Sequence, residues 1–228
     1  MPLRSIINTA RTLSYYQRLQ EITANNLANA STAGFKGDRI TARQGAGDPH
    51  PVPVQALDLR QGTLRDTGRP LDLALKGDGF LVVRTPQGER LTRGGSLSVG
   101  NDGTLVDSHG DAILGEGGPI RVAGRTLEIG VDGTVTVDGA RVGQLRIETV
   151  DDPSTLTKEG AGRFVAGSAT RAAADVTLAQ GALEDANVDP LLGTVDLIMI
   201  QRAYAANLDV LKTMDGVMGT VTNDLGRV

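Results

Sequence analysis

The stretch "ANNLANASTAGFKG", Ala24 to Gly37, places three asparagines at the end of a helically spaced segment and follows them at once with an Ala-Gly-Phe turn. Asparagine is a mediocre helix former, because its amide competes for backbone hydrogen bonds. A helix with no other duty would end in Ala, Glu or Lys. An amide both donates and accepts, so it can pair with another amide and set register where identical chains meet. Asn25 and Asn29 lie four apart and Asn26 and Asn29 three apart, which makes them one patch on a helix. The patch reads as a contact surface. A solvated, frayed helix end is the alternative, and the residues alone leave both open.

Upstream, residues 3–30 read as a helix. Leu3, Ile6, Ala10, Leu13, Gln17, Gln20, Ala24 and Leu27 alternate steps of three and four, the spacing of a coiled-coil seam. Pro2 suits a first helical turn, and Ala33-Gly34 is a reasonable stop. At the far end of the chain, "NVDPLLG" offers Asp189 as N-cap and Pro190 as first helical residue. Beyond it Leu197, Ile200, Tyr204, Asn207, Leu211, Met214, Met218, Val221 and Leu225 repeat the three-four rhythm, apolar at every position but Asn207. Neither stripe is buried unless the helices meet each other or another subunit. Arg4, Arg11 and Arg18 share one face of the first helix, and the spacing predicts that they meet acidic residues of a C-terminal helix, in the same or a neighbouring subunit.

The region from about Leu57 to Leu183 is β-rich, with turn signals "GNDGT", "DSHGD", "VDGTV" and "VDGAR". Asp132-Gly133 and Asp138-Gly139 are dipeptides that tight hairpins favour. In "GQLRIETV", Leu145 and Ile147 alternate with Arg146 and Glu148, as in a half-buried strand. Residues 38–56 are Gly- and Pro-rich and read as an extended connector.

Composition excludes several classes. A net charge of −4 and a pI near 5.2 argue against a general nucleic-acid binder. No run of 18 apolar residues suggests a membrane span. The N-terminus lacks the long apolar core of a Sec-type signal peptide. With no cysteine there is neither a disulfide nor a thiolate site. The two histidines, His50 and His109, lie in no metal-ligand spacing. "GEGGP", Gly115 to Pro119, lacks the lysine of a phosphate loop and reads as a turn. Ser96 and Ser108 sit in no nucleophile elbow. Asp151-Asp152 reads as a loop or cap in preference to a calcium ligand. No catalytic residue, cofactor or metal is expected.

"ANNLANASTAGFK" resembles the N-terminal signature of bacterial flagellar rod and hook proteins. Gln61–Val83, Leu91–Gly115 and Gln180–Asp215 resemble further parts of the same family, in the same order. The resemblance implies an axial structural protein and not an enzyme. Its terminal helices would pack into a coiled-coil-like inner layer, bracketing an antiparallel all-β middle domain, an α+β fold. By position, Asn25, Asn26, Leu27, Asn29, Thr32, Gly34, Phe35 and Lys36 match the assembly and export motif. Gln180, Gly181, Leu183, Glu184, Asn187, Val188, Gln201, Arg202 and Tyr204 match the C-terminal signature. The implied divisions are 1–36 for the helix and motif, 37–56 for the connector, 57–188 for the β domain and 189–228 for the second helix. The implied partners are copies of the chain, other rod proteins and the flagellar type III export apparatus, with no nucleic acid and no membrane insertion. The implied location is the basal-body rod across the periplasmic space. "ILGEGGPIRV" is most like the proximal rod protein. A distal rod protein, or a secreted β-rich binding protein or adhesin, is the alternative.

Overall fold

The computed structural model describes residues 2–43 and 52–225, and the side chains of 6–41 and 54–220. His50 lies outside the described residues, as do the side chains of Leu3, Arg4, Val221 and Leu225. The chain forms two compact units: a helical unit of Met1–Ala28, Asp38–Ala56 and Asp189–Val228, and a β unit of Asn29–Gly37 and Leu57–Val188. The architecture is α+β: an N-terminal helix, a large antiparallel β region and a C-terminal helix.

In the helical unit, α1 (Pro2–Ala28) packs on α2 (Pro190–Leu225). The Asp189 carboxylate caps α2, accepting from the amides of Leu191 and Leu192 at 2.8 and 3.2 Å. The predicted α2 stripe is the one partly or fully buried: Ile200 is buried, and Leu197, Tyr204, Asn207, Leu211, Met214 and Met218 are half-buried. On α1 the stripe differs from the one read in the sequence. Ile6, Leu13, Gln20 and Leu27 are covered as expected, but the flanking row is Thr9, Tyr16 and Thr23, while Ala10, Gln17 and Ala24 face solvent. The residues read as an extended connector contribute two paired strands, Asp38–Arg43 and Val52–Leu57. The Arg18 guanidinium donates to the Glu21 carboxylate at 3.0 Å and to Gln55 Oε1 at 2.5 Å. Among the described residues it therefore meets its own helix and this strand pair.

The β unit is organised around the strand Phe80–Thr85. This strand is buried on both faces, so "FLVV" is an unbroken apolar run where a half-exposed strand would alternate. Leu81 and Val83 enter one core with Leu73, Leu75, Leu97, Leu105 and Ile113. Phe80 and Val82 enter a second core with Leu91, Leu114 and Phe164. Phe80 and Phe164 meet in a tilted pair, ring centroids 5.5 Å apart.

Two successive three-stranded meanders supply much of the first core: Leu97–Val99, Leu105–Asp107 and Ala112–Gly115, then Leu127–Ile129, Thr134–Val137 and Ala140–Gln144. Their first turns are duplicates. In Gly100–Thr104 the Gly100 N–H donates to Thr104 O at 2.8 Å, and Asp102 accepts from the Thr104 N–H and hydroxyl at 3.0 and 2.8 Å. In Gly130–Thr134 the same three bonds measure 2.8, 3.0 and 2.8 Å. Both aspartates are held below the usual carboxylate range, first by the threonine N–H and then by its hydroxyl. Asp138-Gly139 forms the expected tight hairpin, with φ of 51° and 81° and Val137 opposite Ala140. Asp132-Gly133 differs: it belongs to the longer Gly130–Thr134 loop, in which only Gly133 has positive φ. Leu145 is buried and Arg146 forms an ion pair with Glu148, Nε to Oε1 2.8 Å, on the other face, as the alternation implied, but the strand breaks at Leu145 and Arg146. Asp152 caps a short 3-10 turn through Ser154, while Asp151 accepts from Arg171 Nε at 2.6 Å.

Candidate functional site

Three stretches of the β unit converge on one carboxylate. Gly34 turns the chain with φ of 70°, which sends Phe35 and Lys36 inward, and both are buried. Lys36 donates through Nζ to Glu184 Oε1 at 2.5 Å and to the Arg60 carbonyl at 2.8 Å. The Gly62 N–H adds a bond to the same Oε1 at 2.9 Å. Arg93 holds the other oxygen, Oε2, through Nε at 3.0 Å and Nη2 at 2.7 Å. The remaining guanidinium face of Arg93 donates to the carbonyls of Gly77 and Gly79 at 2.7 and 2.5 Å. Every polar atom of this cluster has a partner, the condition under which buried charge is tolerable.

Backbone contacts reinforce it. The Gly34 N–H donates to Glu184 O at 2.7 Å, and the Asn187 N–H to Phe35 O at 3.3 Å. Asn187 Oδ1 accepts from the Gly37 N–H at 2.7 Å, while its Nδ2 donates to the carbonyls of Asp58 and Arg60 at 2.8 and 3.0 Å. Lys158 stands 4.4 Å above the Phe35 ring. Thus Gly34, Phe35 and Lys36 of the N-terminal signature meet Glu184 and Asn187 of the C-terminal one.

Asn26 and Asn187 have partners within the chain, and these are peptide groups. Asn26, on α1, donates to Asp38 O at 2.7 Å and accepts from the Asp38 N–H at 2.9 Å. Its amide stands in for a neighbouring strand's peptide, which uses donor and acceptor together. Asn187 does the same work in the β unit. Asn207 turns back on its own helix, donating to Ala203 O at 2.8 Å. Asn25 is exposed, and the Asn29 carbonyl accepts from the Thr32 N–H at 3.0 Å.

The other signature residues are more dispersed. Leu27 is half-buried on α1, Thr32 is exposed and Val188 half-buried. Gln201 and Arg202 are exposed on α2. Gln180 ties three backbone groups, those of Ile129, Pro70 and Leu127. Arg93, Arg60 and Gly62 were not singled out by sequence reading. Arg93 did carry a signal, as the one charged residue in "LTRGGSL". His109 lies in an exposed turn, and the described residues contain no metal-binding cluster.

Burial lowers the Lys36 ammonium pKa from its ordinary 10.5, outweighing the hydrogen bond and charge of Glu184 that act to raise it. A folded-state pKa below the unfolded one means that the unfolded chain binds more protons across the interval between them. The stability penalty is therefore complete below the lowered value and is released as pH climbs towards 10.5. The stability of the native chain relative to Lys36→Met is expected to rise over this interval in denaturant titrations. A pH-independent difference would show that burial is not what sets this lysine.

Comparisons with known proteins cover the same motifs. Residues 7–36 match the family described as flagella basal body rod protein, residues 74–137 the flagellar hook protein FlgE/F/G D1 domain, and residues 179–225 the flagellar basal body rod FlgEFG protein C-terminal region. The chain is 36% identical over 216 residues to flagellar basal-body rod protein FlgF of Caulobacter vibrioides, covering 87% of each. It is 33% identical to FlgF of Salmonella typhimurium, over 86% of this chain and 88% of that one. It is 29% identical over 260 residues to flagellar basal-body rod protein FlgG of Bacillus subtilis, over 97% and 98% of the two.

Proposed function

Because this chain belongs to the flagellar basal-body rod protein family, we propose that α1 and α2 carry its assembly as a structural axial subunit of the rod, part of the shaft between motor and hook. The observation that carries this reading is a second apolar row on α2. Leu192, Val195, Met199, Val210 and Val217 lie along one side of the helix, and each is at least 43% exposed. The first row is covered by α1, so a helix apolar over so wide an arc has a face left for another molecule. Coiled-coil-like packing against neighbouring copies and other rod proteins would bury it. The chain would act as scaffold and not as enzyme. Passage through the flagellar export apparatus and a place in the periplasmic part of the rod follow from the family reading.

A FlgF-like, proximal position is favoured over a FlgG-like one. The FlgF relatives reach the higher identities, and the 260-residue alignment to FlgG exceeds the 228 residues of this chain, so that relative carries segments absent here. A tagged chain imaged in isolated basal bodies tests the location.

Met199→Asp tests the assembly face. Met199 is 64% exposed in the single chain, so the substitution should leave circular dichroism and melting unchanged. In the assembled state the same charge enters an apolar contact at a cost of several kcal/mol. Cells carrying only this variant should not swim. Normal motility would remove α2's second row from the assembly surface.

A further inference from the structure

Among the described residues, the strand Leu73–Lys76 pairs with one other strand, Thr177–Gln180, and Leu64–Asp66 with one other, Ala182–Glu184. The first two strands of the β unit are thus closed by its last two. The cross-links run the same way: Gly181 N–H to Asp72 O at 2.8 Å, Asp185 N–H to Thr63 O at 2.8 Å, and Gly34 N–H to Glu184 O at 2.7 Å. All four donors to the Glu184 carboxylate come from earlier in the chain, at Lys36, Gly62 and Arg93.

We propose that residues 177–187 are the closing element of the β unit, and that Glu184 makes the signature turn at Gly34–Gly37 conditional on it. The turn is then held in its native place only while this late segment is docked. With the segment detached, Lys36 keeps the Arg60 carbonyl, and Arg93 keeps those of Gly77 and Gly79, but neither retains the buried carboxylate. Two buried cations without an anion are strongly unfavourable. At the same time Leu73 and Leu75, fully buried, lose their cover by Leu178, and two strands lose their hydrogen-bonded edge. The meanders at 97–115 and 127–144 are different, because none of their strands pairs with Thr177–Gln180 or Ala182–Glu184. Opening should therefore propagate from the closing element to the turn at 34–37 and to 64–76, and leave the meanders paired. The consequence is a completion gate. A chain that has supplied its signature turn but not residue 184, 148 positions later, cannot fix that turn. The gate belongs to the β unit alone and stands independently of the assembly face on α2.

Hydrogen exchange of the intact full-length protein, followed by mass spectrometry at rising low denaturant, tests this. Amides at 34–37, 64–67 and 73–76 are expected to share one opening, with one denaturant dependence, with those at 177–184, below that of the meanders. Glu184→Gln should lower protection in all of these segments by a common factor of roughly tenfold or more. Adding Lys36→Met, which removes one stranded cation, should recover much of it. If the single variant does not fold, the native profile decides alone. Independent exchange at 34–37, or a Glu184→Gln effect confined to its immediate neighbours, would overturn the gate.

Discussion

Glu184→Ala is expected to cost about 3–5 kcal/mol, the usual result of removing one partner from a buried ion pair. The size follows from what is left behind. Lys36, Arg93 and Glu184 are each no more than 4% exposed, and the single carboxylate serves both cations. Alanine would leave two positive charges buried without their anion, with a small cavity between them. Against a typical total stability of about 5–15 kcal/mol, such a loss removes a large share of the folded population. Thermal melts followed by circular dichroism should show a fall in the β transition by well over 5 °C, on the usual scale of about 2–4 °C per kcal/mol for a chain of this size. A shift under about 1 kcal/mol would mean that the cluster is solvated and that its charges are worth no more than a surface pair.

Gly34→Ala is expected to be nearly as damaging, for steric reasons. At φ of 70° an L side chain is strained, at about 1–3 kcal/mol. The added Cβ would also stand 2.3 Å from the Arg93 carbonyl oxygen and 2.4 Å from its carbon, both backbone atoms that cannot swing aside. Forcing them apart adds a comparable amount, and it would displace the residue whose guanidinium grips Glu184. Gly68 provides the control. Its φ is 66°, yet a Cβ there would meet nothing within 4 Å. Gly68→Ala should therefore show the backbone strain alone. Equal losses in urea titrations of the two variants would remove the collision from the account.

Local features were legible in the sequence because local chemistry decides them. Asp189-Pro190 starts a helix by satisfying the first free N–H groups, and Asp138-Gly139 makes a tight turn by accepting positive φ; neither needs a distant partner. The α2 stripe was legible because nearly every covered position is large and apolar. The α1 stripe was only half legible. Ile6, Leu13, Gln20 and Leu27 fit two seams equally, and nothing in Thr9, Tyr16 and Thr23 outweighs Ala10, Gln17 and Ala24 on hydrophobicity. Packing chose the row with larger side chains and hydroxyls. The partner of Asn26 was not legible, because an amide satisfies another amide and a peptide group equally well. The clasp at Glu184 lay furthest out of reach: its partners are 148, 122 and 91 residues away, and no periodicity links them.

The paired turns at Gly100–Thr104 and Gly130–Thr134 have a consequence for how this surface can vary. In each, glycine, aspartate and threonine supply all the bonds described above, and the residue after the first glycine supplies none through its side chain. Asn101 occupies that place in one turn and Val131, 69% exposed, in the other. A polar amide and a bare branched hydrocarbon thus sit in interchangeable sockets. The chain can rewrite the chemistry it displays at either tip while the strands below keep their register.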